Sequence, residues 1–305
     1  MDICEVGRVI GAALTSGWEA VKNFANSAFA IALVGSFAGA FAGALGAQRI
    51  AERSKLREEM LTGINKTNAA IMVAFGICNS ALAMKKQFVK GLKERFEAQK
   101  IELQQFKAKR DAGEIGRDVP FEFQADLQTF QVPALPMDIL QALAFEKLAL
   151  SGRSLSLVTT LIQTIGGLSG SIENRNELIS GYKAESFDSR QLVPLYFGLP
   201  YGGGHVNLDY PATLDAISRL TDDIIFFAQL LCNDLREHGE GVRAKFKAKF
   251  GKVAPTVRVV DFKQASDAGL MPNETNYVDW INAFKKPEAS GSGKERRKWI
   301  WRRAH

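Results

Sequence analysis

The residues with the clearest chemical potential form a glycine-rich stretch, YFGLPYGGGHVNLDY, at positions 196–210. Gly202, Gly203 and Gly204 would let backbone amides approach a phosphate closely, and His205 follows directly. The stretch lacks the Lys-Ser/Thr ending of a P-loop and does not match GxGxxG after a strand. We interpret it first as a flexible connector between helices. The alternative is the binding loop of a membrane-tethered enzyme or of a nucleotide or lipid sensor.

The other reactive side chains are widely separated along the sequence. Asp222 and Asp223 are adjacent on a predicted helix, so their carboxylates point about 100° apart and do not form a catalytic pair. Neither GxSxG nor HExxH occurs. The sequence therefore predicts no catalytic residue, no metal site and no cofactor, and favours a protein that is not an enzyme. Three cysteines and three histidines are scattered without metal-ligand spacing: Cys4, Cys78, Cys232, His205, His238 and His305.

An uncharged run of twenty residues covers positions 28–47. In a helix, twenty residues span roughly 30 Å, the thickness of a bilayer core. The chain begins MDICEVGR, with two acids and one base, which is unlike the basic start of a signal peptide. We predict an uncleaved transmembrane anchor over residues 25–48. A buried core helix rich in alanine and glycine is the alternative.

Small residues recur every four positions within this anchor. Gly35, Gly39 and Gly43 share one helix face, and Gly46 extends it. In lipid, helices associate through close backbone approach, and glycine permits that approach. The pattern predicts a glycine zipper that joins copies of the chain into a homo-oligomer.

Basic residues follow the apolar run immediately. Arg49, Arg53 and Arg57 occur at i, i+4 and i+8, which suits phospholipid headgroups, whereas few bases precede the run. The positive-inside rule then places the bulk of the chain in the cytoplasm. Together with the Ala/Gly-rich composition, this predicts a single-pass protein of a bacterial inner membrane.

Two terminal segments are also predicted to contact membrane lipids. Residues 1–24 form an amphipathic pattern that places Trp18 at headgroup level. Residues 288–305 form a basic tail; its last twelve residues carry +5 of the formal net charge of +6. We expect this tail to bind anionic lipid, with a disordered tail or a nucleic-acid contact as alternatives. Its interface residues are Trp299, Trp301, Arg302 and Arg303.

Apolar residues at three- and four-residue spacing predict a long, coiled-coil-like helix over residues 49–116. Within it, residues 67–84 are uncharged and predict a buried helix, although a second membrane span is the alternative. An extended connector is expected over 117–136, further bundle helices over 137–250, and a small α/β appendage over 251–287. In the appendage, residues 256–262 alternate like a strand and residues 273–286 resemble a short helix.

The predicted fold class is therefore mainly all-α: a membrane-anchored bundle of long helices with a small α/β appendage. The predicted function is that of a non-enzymatic, oligomeric membrane protein. It would act as a scaffold, a signal transducer or a membrane-disrupting effector, such as a bacterial toxin or an antiviral defence protein. The sequence does not indicate a small-molecule ligand.

Overall fold

The structure is a computed structural model that describes residues 28–116, 118–148, 150–251 and 253–284. The predicted amphipathic helix over 1–24, with Trp18, lies outside these residues. So does the whole basic tail over 288–305, including Trp299, Trp301, Arg302 and Arg303. The described residues are 74% helix and 2% strand, which confirms the mainly all-α fold class.

Three long helical regions form the bundle. The first comprises α1 (Ala28–Met84), a π-helical turn (Lys85–Val89) and α2 (Lys90–Asp111). The second comprises α3 (Met137–Gln141), a second π-helical turn (Ala142–Lys147) and α4 (Arg153–Tyr182). After a 3-10 turn (Ser189–Gln191) come α5 (Leu192–Phe197), β1 (Pro200–Tyr201) and β2 (His205–Val206). The third long region is α6 (Asp209–Phe250), followed by α7 (Lys263–Asp267), a 3-10 turn (Glu274–Tyr277) and α8 (Val278–Asn282).

Helix α6 lies at the centre and runs antiparallel to both of its long neighbours. The Cys78 thiol donates to the Ile225 carbonyl at 3.6 Å, and the Cys232 thiol donates to the Ile71 carbonyl at 3.8 Å. Residues further along α1 therefore contact residues nearer the start of α6. On the α4 side, Asn174 donates to the Thr213 hydroxyl at 3.0 Å near one end, and Arg153 pairs with Asp234 towards the other.

The heptad-like apolar series accounts for the packing of α1 and α2, except at its first member. Ile64 and Ile71 are fully buried, and Leu92 is nearly so, whereas Ile50 is 72% exposed. Ile50 is exposed because α6 ends at Phe250, at the same level of the bundle. Residues 67–84 pack inside the bundle, as the buried-helix interpretation predicts. Their buried apolar members are Ala70, Ile71, Ala74, Ile77, Cys78, Ala81, Leu82 and Met84.

The segment from 118 to 136 contains no helix or strand, and side chains bind its backbone to the bundle. Gln99 donates to the carbonyl of residue 124 at 2.7 Å. Arg175, only 1% exposed, donates to the carbonyls of residues 126 and 128 at 3.0 and 2.7 Å. Asn176 donates to the Phe130 carbonyl at 2.8 Å. Alternate carbonyls of an extended chain are thus satisfied without a neighbouring strand.

The predicted strand over 256–262 is wrong, since the backbone there is irregular and pairs with no strand of the described chain. The side chain of Asn68 forms the hydrogen bonds that a neighbouring strand would otherwise form. Asn68 donates to the Thr256 carbonyl at 3.0 Å and accepts from the Arg258 amide at 2.8 Å. Val257 between them is buried. Residues 253–284 form a flap without a sheet, which packs on α6 where Tyr277 stacks on Phe226 with ring centroids 3.8 Å apart.

Candidate functional site

The first twenty residues of α1 project beyond the end of the bundle. The last residue of α6, Phe250, lies beside Arg53, whose guanidinium carbon is 5.8 Å from the centre of the phenyl ring. Residues 28–48 continue α1 past this level for roughly 30 Å. Phe37 and Phe41 are 69% and 68% exposed on this segment, which we call the free helix. Large aromatic side chains on an unpaired apolar helix mark a surface that needs a partner.

Length and hydropathy alone do not identify the free helix as a membrane span. Two described helical stretches qualify by these criteria: one from Gly35 to Asp111, whose apolar window is 50% buried, and one that coincides with α4. Helix α4 packs along α6 in the core, with Leu157, Leu161 and Leu168 fully buried. Core helices of soluble proteins share this composition, so the distinguishing property is what surrounds the helix.

The glycine face of the free helix has no neighbour within the described chain. A Cβ atom placed on Gly35, Gly39, Gly43 or Gly46 would meet no atom within 4 Å. Among the described residues, these glycines therefore take part in no close helix contact. Their four-residue spacing remains available for a second helix.

The base of the free helix is strongly basic. The structure brings Arg49, Arg53 and Arg57 of α1 to the same end of the bundle as three lysines in the last turns of α6: Lys245, Lys247 and Lys249. We call these six residues the basal collar. Within the described ranges, none of the six has a carboxylate oxygen within 4.0 Å. The carbonyl end of the α6 dipole also stabilises the three lysines, so part of this arrangement is structural.

Two cavities open at this end. One, of about 280 Å³, is lined by Ile50, Arg53, Ser54, Arg57 and Phe250. The other, of about 420 Å³, lies across the end of α6. Its lining residues are Glu240, Arg243, Ala244, Lys247, Gly251, Val253 and Ala254, and the Val253 side chain is 92% exposed. Cationic, aromatic and aliphatic side chains thus occur together around the base of the free helix.

The lysines and Phe250 are the part of this site that sequence analysis missed. They lie almost 200 residues after Arg53, and only the antiparallel packing of α6 on α1 brings them together. A signal was present in the stretch KFKAKF, residues 245–250, which alternates lysine with other residues at the end of a predicted helix and contains no acid.

The glycine-rich loop lies at the opposite end of α6, roughly 60 Å from the collar. It forms a two-stranded turn in which Tyr201 pairs with His205, and the positive φ angles of Gly202, Gly203 and Gly204 close the turn. His205 is exposed, and none of the cavities described here is lined by these residues.

Other reactive side chains are also dispersed in the described part of the chain. No three His, Cys, Asp or Glu residues there lie close enough to hold a metal ion. Burial raises the pKa of the Cys78 thiol, and it raises the pKa of Cys232 to about 12, so both thiols stay protonated near neutral pH. No protein-family model, curated protein or solved structure matches this chain.

Proposed function

We propose that the free helix anchors the protein in a lipid bilayer. One observation carries this proposal: twenty uncharged residues, with exposed phenylalanines, project from the folded bundle, and the glycines among them have no neighbour within the described residues. Water would surround this surface in a soluble monomer at a high cost in free energy, whereas a bilayer core buries it. The basal collar supports the same arrangement, because unpaired cations at the end of a span favour the anionic cytoplasmic leaflet.

We further propose that the glycine face joins copies of the chain within the membrane. The protein would then be a non-enzymatic oligomer of a bacterial inner membrane, with its bundle in the cytoplasm. In that form it would serve as a scaffold, signal transducer or membrane-disrupting effector. The absence of any contact to the four glycines within the described chain favours an intermolecular role for their spacing.

The experiment combines membrane extraction with a size measurement. Alkaline carbonate should leave the wild-type protein in the membrane pellet, and light scattering in detergent should give a defined oligomer. Gly39→Leu/Gly43→Leu should stay in the membrane but become smaller. The matched control, Phe37→Leu/Phe41→Leu, changes the opposite face and should keep the oligomer. Release of the wild type by carbonate would overturn the anchor, and a wild-type monomer would overturn only the oligomer.

Variants in the glycine-rich loop test the alternative function. Gly203→Val and His205→Ala lie far from the membrane end, so we expect both to retain membrane extraction behaviour and oligomer size. Loss of biological activity through these variants alone would favour a ligand-binding loop instead.

A further inference from the structure

We propose that the cavity between Arg53, Arg57 and Phe250 binds the phosphate of an anionic phospholipid headgroup. This inference rests on the proposed membrane anchor. It adds a defined lipid-binding site, which a hydrophobic helix alone does not provide.

The two arginines supply the phosphate-binding groups. Arg53 and Arg57 are four residues apart and therefore lie one turn apart on the same face of α1. Neither has a carboxylate oxygen within 4.0 Å in the described structure. The planar guanidinium group matches the oxygens of a phosphate with two parallel hydrogen bonds, and the Ser54 hydroxyl in the same cavity adds another donor.

The depth of the cavity fits the headgroup layer. If the hydrocarbon core ends at Ala47, Arg53 lies about 9 Å and Arg57 about 15 Å further along the helix axis. The headgroup layer extends about 5–8 Å beyond the core on each side. Side chains of a helix tilt towards its N-terminus, here towards the membrane. The guanidinium group of Arg53 therefore reaches back to the level of the phosphates, and Arg57 lies one helical turn further from the membrane.

The other walls of the cavity select a lipid over free phosphate. Ile50 is 72% exposed on the membrane side of the cavity and offers an apolar contact for the glycerol and upper acyl carbons. Phe250 places its ring 5.8 Å from the Arg53 guanidinium carbon, which orients that guanidinium and puts an aromatic ring at the interface. The site therefore combines cationic donors with an apolar wall on its membrane side.

The surrounding charge selects an anionic headgroup. Three lysines at the end of α6 add positive potential next to the cavity. A headgroup such as phosphatidylglycerol, with a phosphate and no amine, is attracted as a whole. Phosphatidylethanolamine carries an ammonium group that this potential repels, so it should bind more weakly.

The test measures lipid binding to the full-length protein. Purified protein in detergent is titrated with phosphatidylglycerol, phosphatidylethanolamine or inorganic phosphate, and bound lipid is counted by native mass spectrometry. We expect wild type to prefer phosphatidylglycerol. Arg53→Gln/Arg57→Gln should weaken that binding about tenfold while leaving the protein in the carbonate pellet. The matched control Lys245→Gln/Lys249→Gln removes the same charge outside the cavity and should weaken it about threefold or less.

Three results would overturn the inference. Equal weakening by the two double variants would show a diffuse electrostatic attraction instead of a site. Inorganic phosphate that displaces the lipid at equal concentration would identify a free-anion site. A wild type without lipid preference, but still in the carbonate pellet, would overturn the lipid site and leave the anchor standing; a wild type released by carbonate would overturn both.

Discussion

Helix α1 contains two uncharged apolar segments, residues 28–47 and 67–84, with opposite environments. The second segment is buried against α6, and two of its polar side chains have partners: Thr67 donates to the Gly63 carbonyl and Asn68 binds the flap. The first extends past the end of α6. Similar hydropathy therefore leads to burial only where a complementary apolar helix lies alongside, and the first segment has no such neighbour among the described residues.

The largest expected effect comes from removing core volume beside the buried segment. Ile224 on α6 is fully buried. Ile224→Ala should lower the free energy of unfolding by about 2–5 kcal/mol, because it leaves a cavity in the core. The matched variant Leu45→Ala lies on the free helix and should leave bundle stability unchanged. Urea unfolding followed by circular dichroism measures both. Similar losses in the two variants would mean that the two segments are packed alike, and would break the comparison.

A smaller effect is expected at Asn68, the polar residue of the buried segment that binds the flap. Asn68→Ala removes both hydrogen bonds to residues 256 and 258, which should cost about 1–2 kcal/mol and loosen the flap. Hydrogen exchange of amides 256–262 should rise. Asn79→Ala, at an exposed position on the same helix, should change neither quantity. Unchanged exchange in the Asn68 variant would show that the flap is held by its apolar contacts alone.

A glycine inside the bundle and a glycine on the free helix should respond differently to substitution by alanine. A Cβ on Gly239 of α6 would lie 3.0 Å from a Val257 methyl and 3.1 Å from the Thr67 methyl, so close packing requires this glycine. Gly239→Ala should destabilise the bundle by about 1 kcal/mol, since crowding outweighs the gain in helix propensity. Gly39→Ala should not destabilise it, because nothing lies within 4 Å. Thermal unfolding of the two variants in detergent distinguishes them; a destabilised Gly39→Ala bundle would place the free helix against the bundle.

The smallest effect is a pH dependence confined to the bundle. Burial raises the pKa of Tyr182 to about 12 and raises that of Tyr196 as well, next to Tyr210. The unfolded chain gives up these protons near pH 10 and the folded chain keeps them, so stability is complete below pH 10 and falls as pH rises towards 12. Unfolding free energies measured across this range should decline less steeply in Tyr182→Phe.

The proposed oligomer gives the internal control for this pH effect, because residues 28–48 contain no titratable side chain. Its size in detergent should stay constant over the same range. An oligomer that dissociates in parallel with loss of bundle stability would show that the bundle, and not the free helix, holds the copies together.

Much of the fold was predictable because periodic apolar spacing is a local property. The long helix after residue 49, further bundle helices between 137 and 250 and the buried segment 67–84 all follow from such spacing. The strand predicted over 256–262 is wrong because strand pairing, unlike apolar spacing, is not a local property. Alternation of apolar residues shows that a segment is extended and half-buried, but pairing needs a second strand, and here the side chain of Asn68 provides the hydrogen bonds.

The sequence by itself determined the mainly helical fold class, the uncharged run, the spacing of Gly35, Gly39 and Gly43, and the arginines that follow them. These properties depend on residues within a few turns of one another. The tertiary structure decided which apolar segment is buried, which side chains hold the connector and the flap, and that Phe250 and three lysines surround Arg53. Those contacts join residues as much as 190 positions apart, and only the antiparallel packing of α6 on α1 brings them within reach.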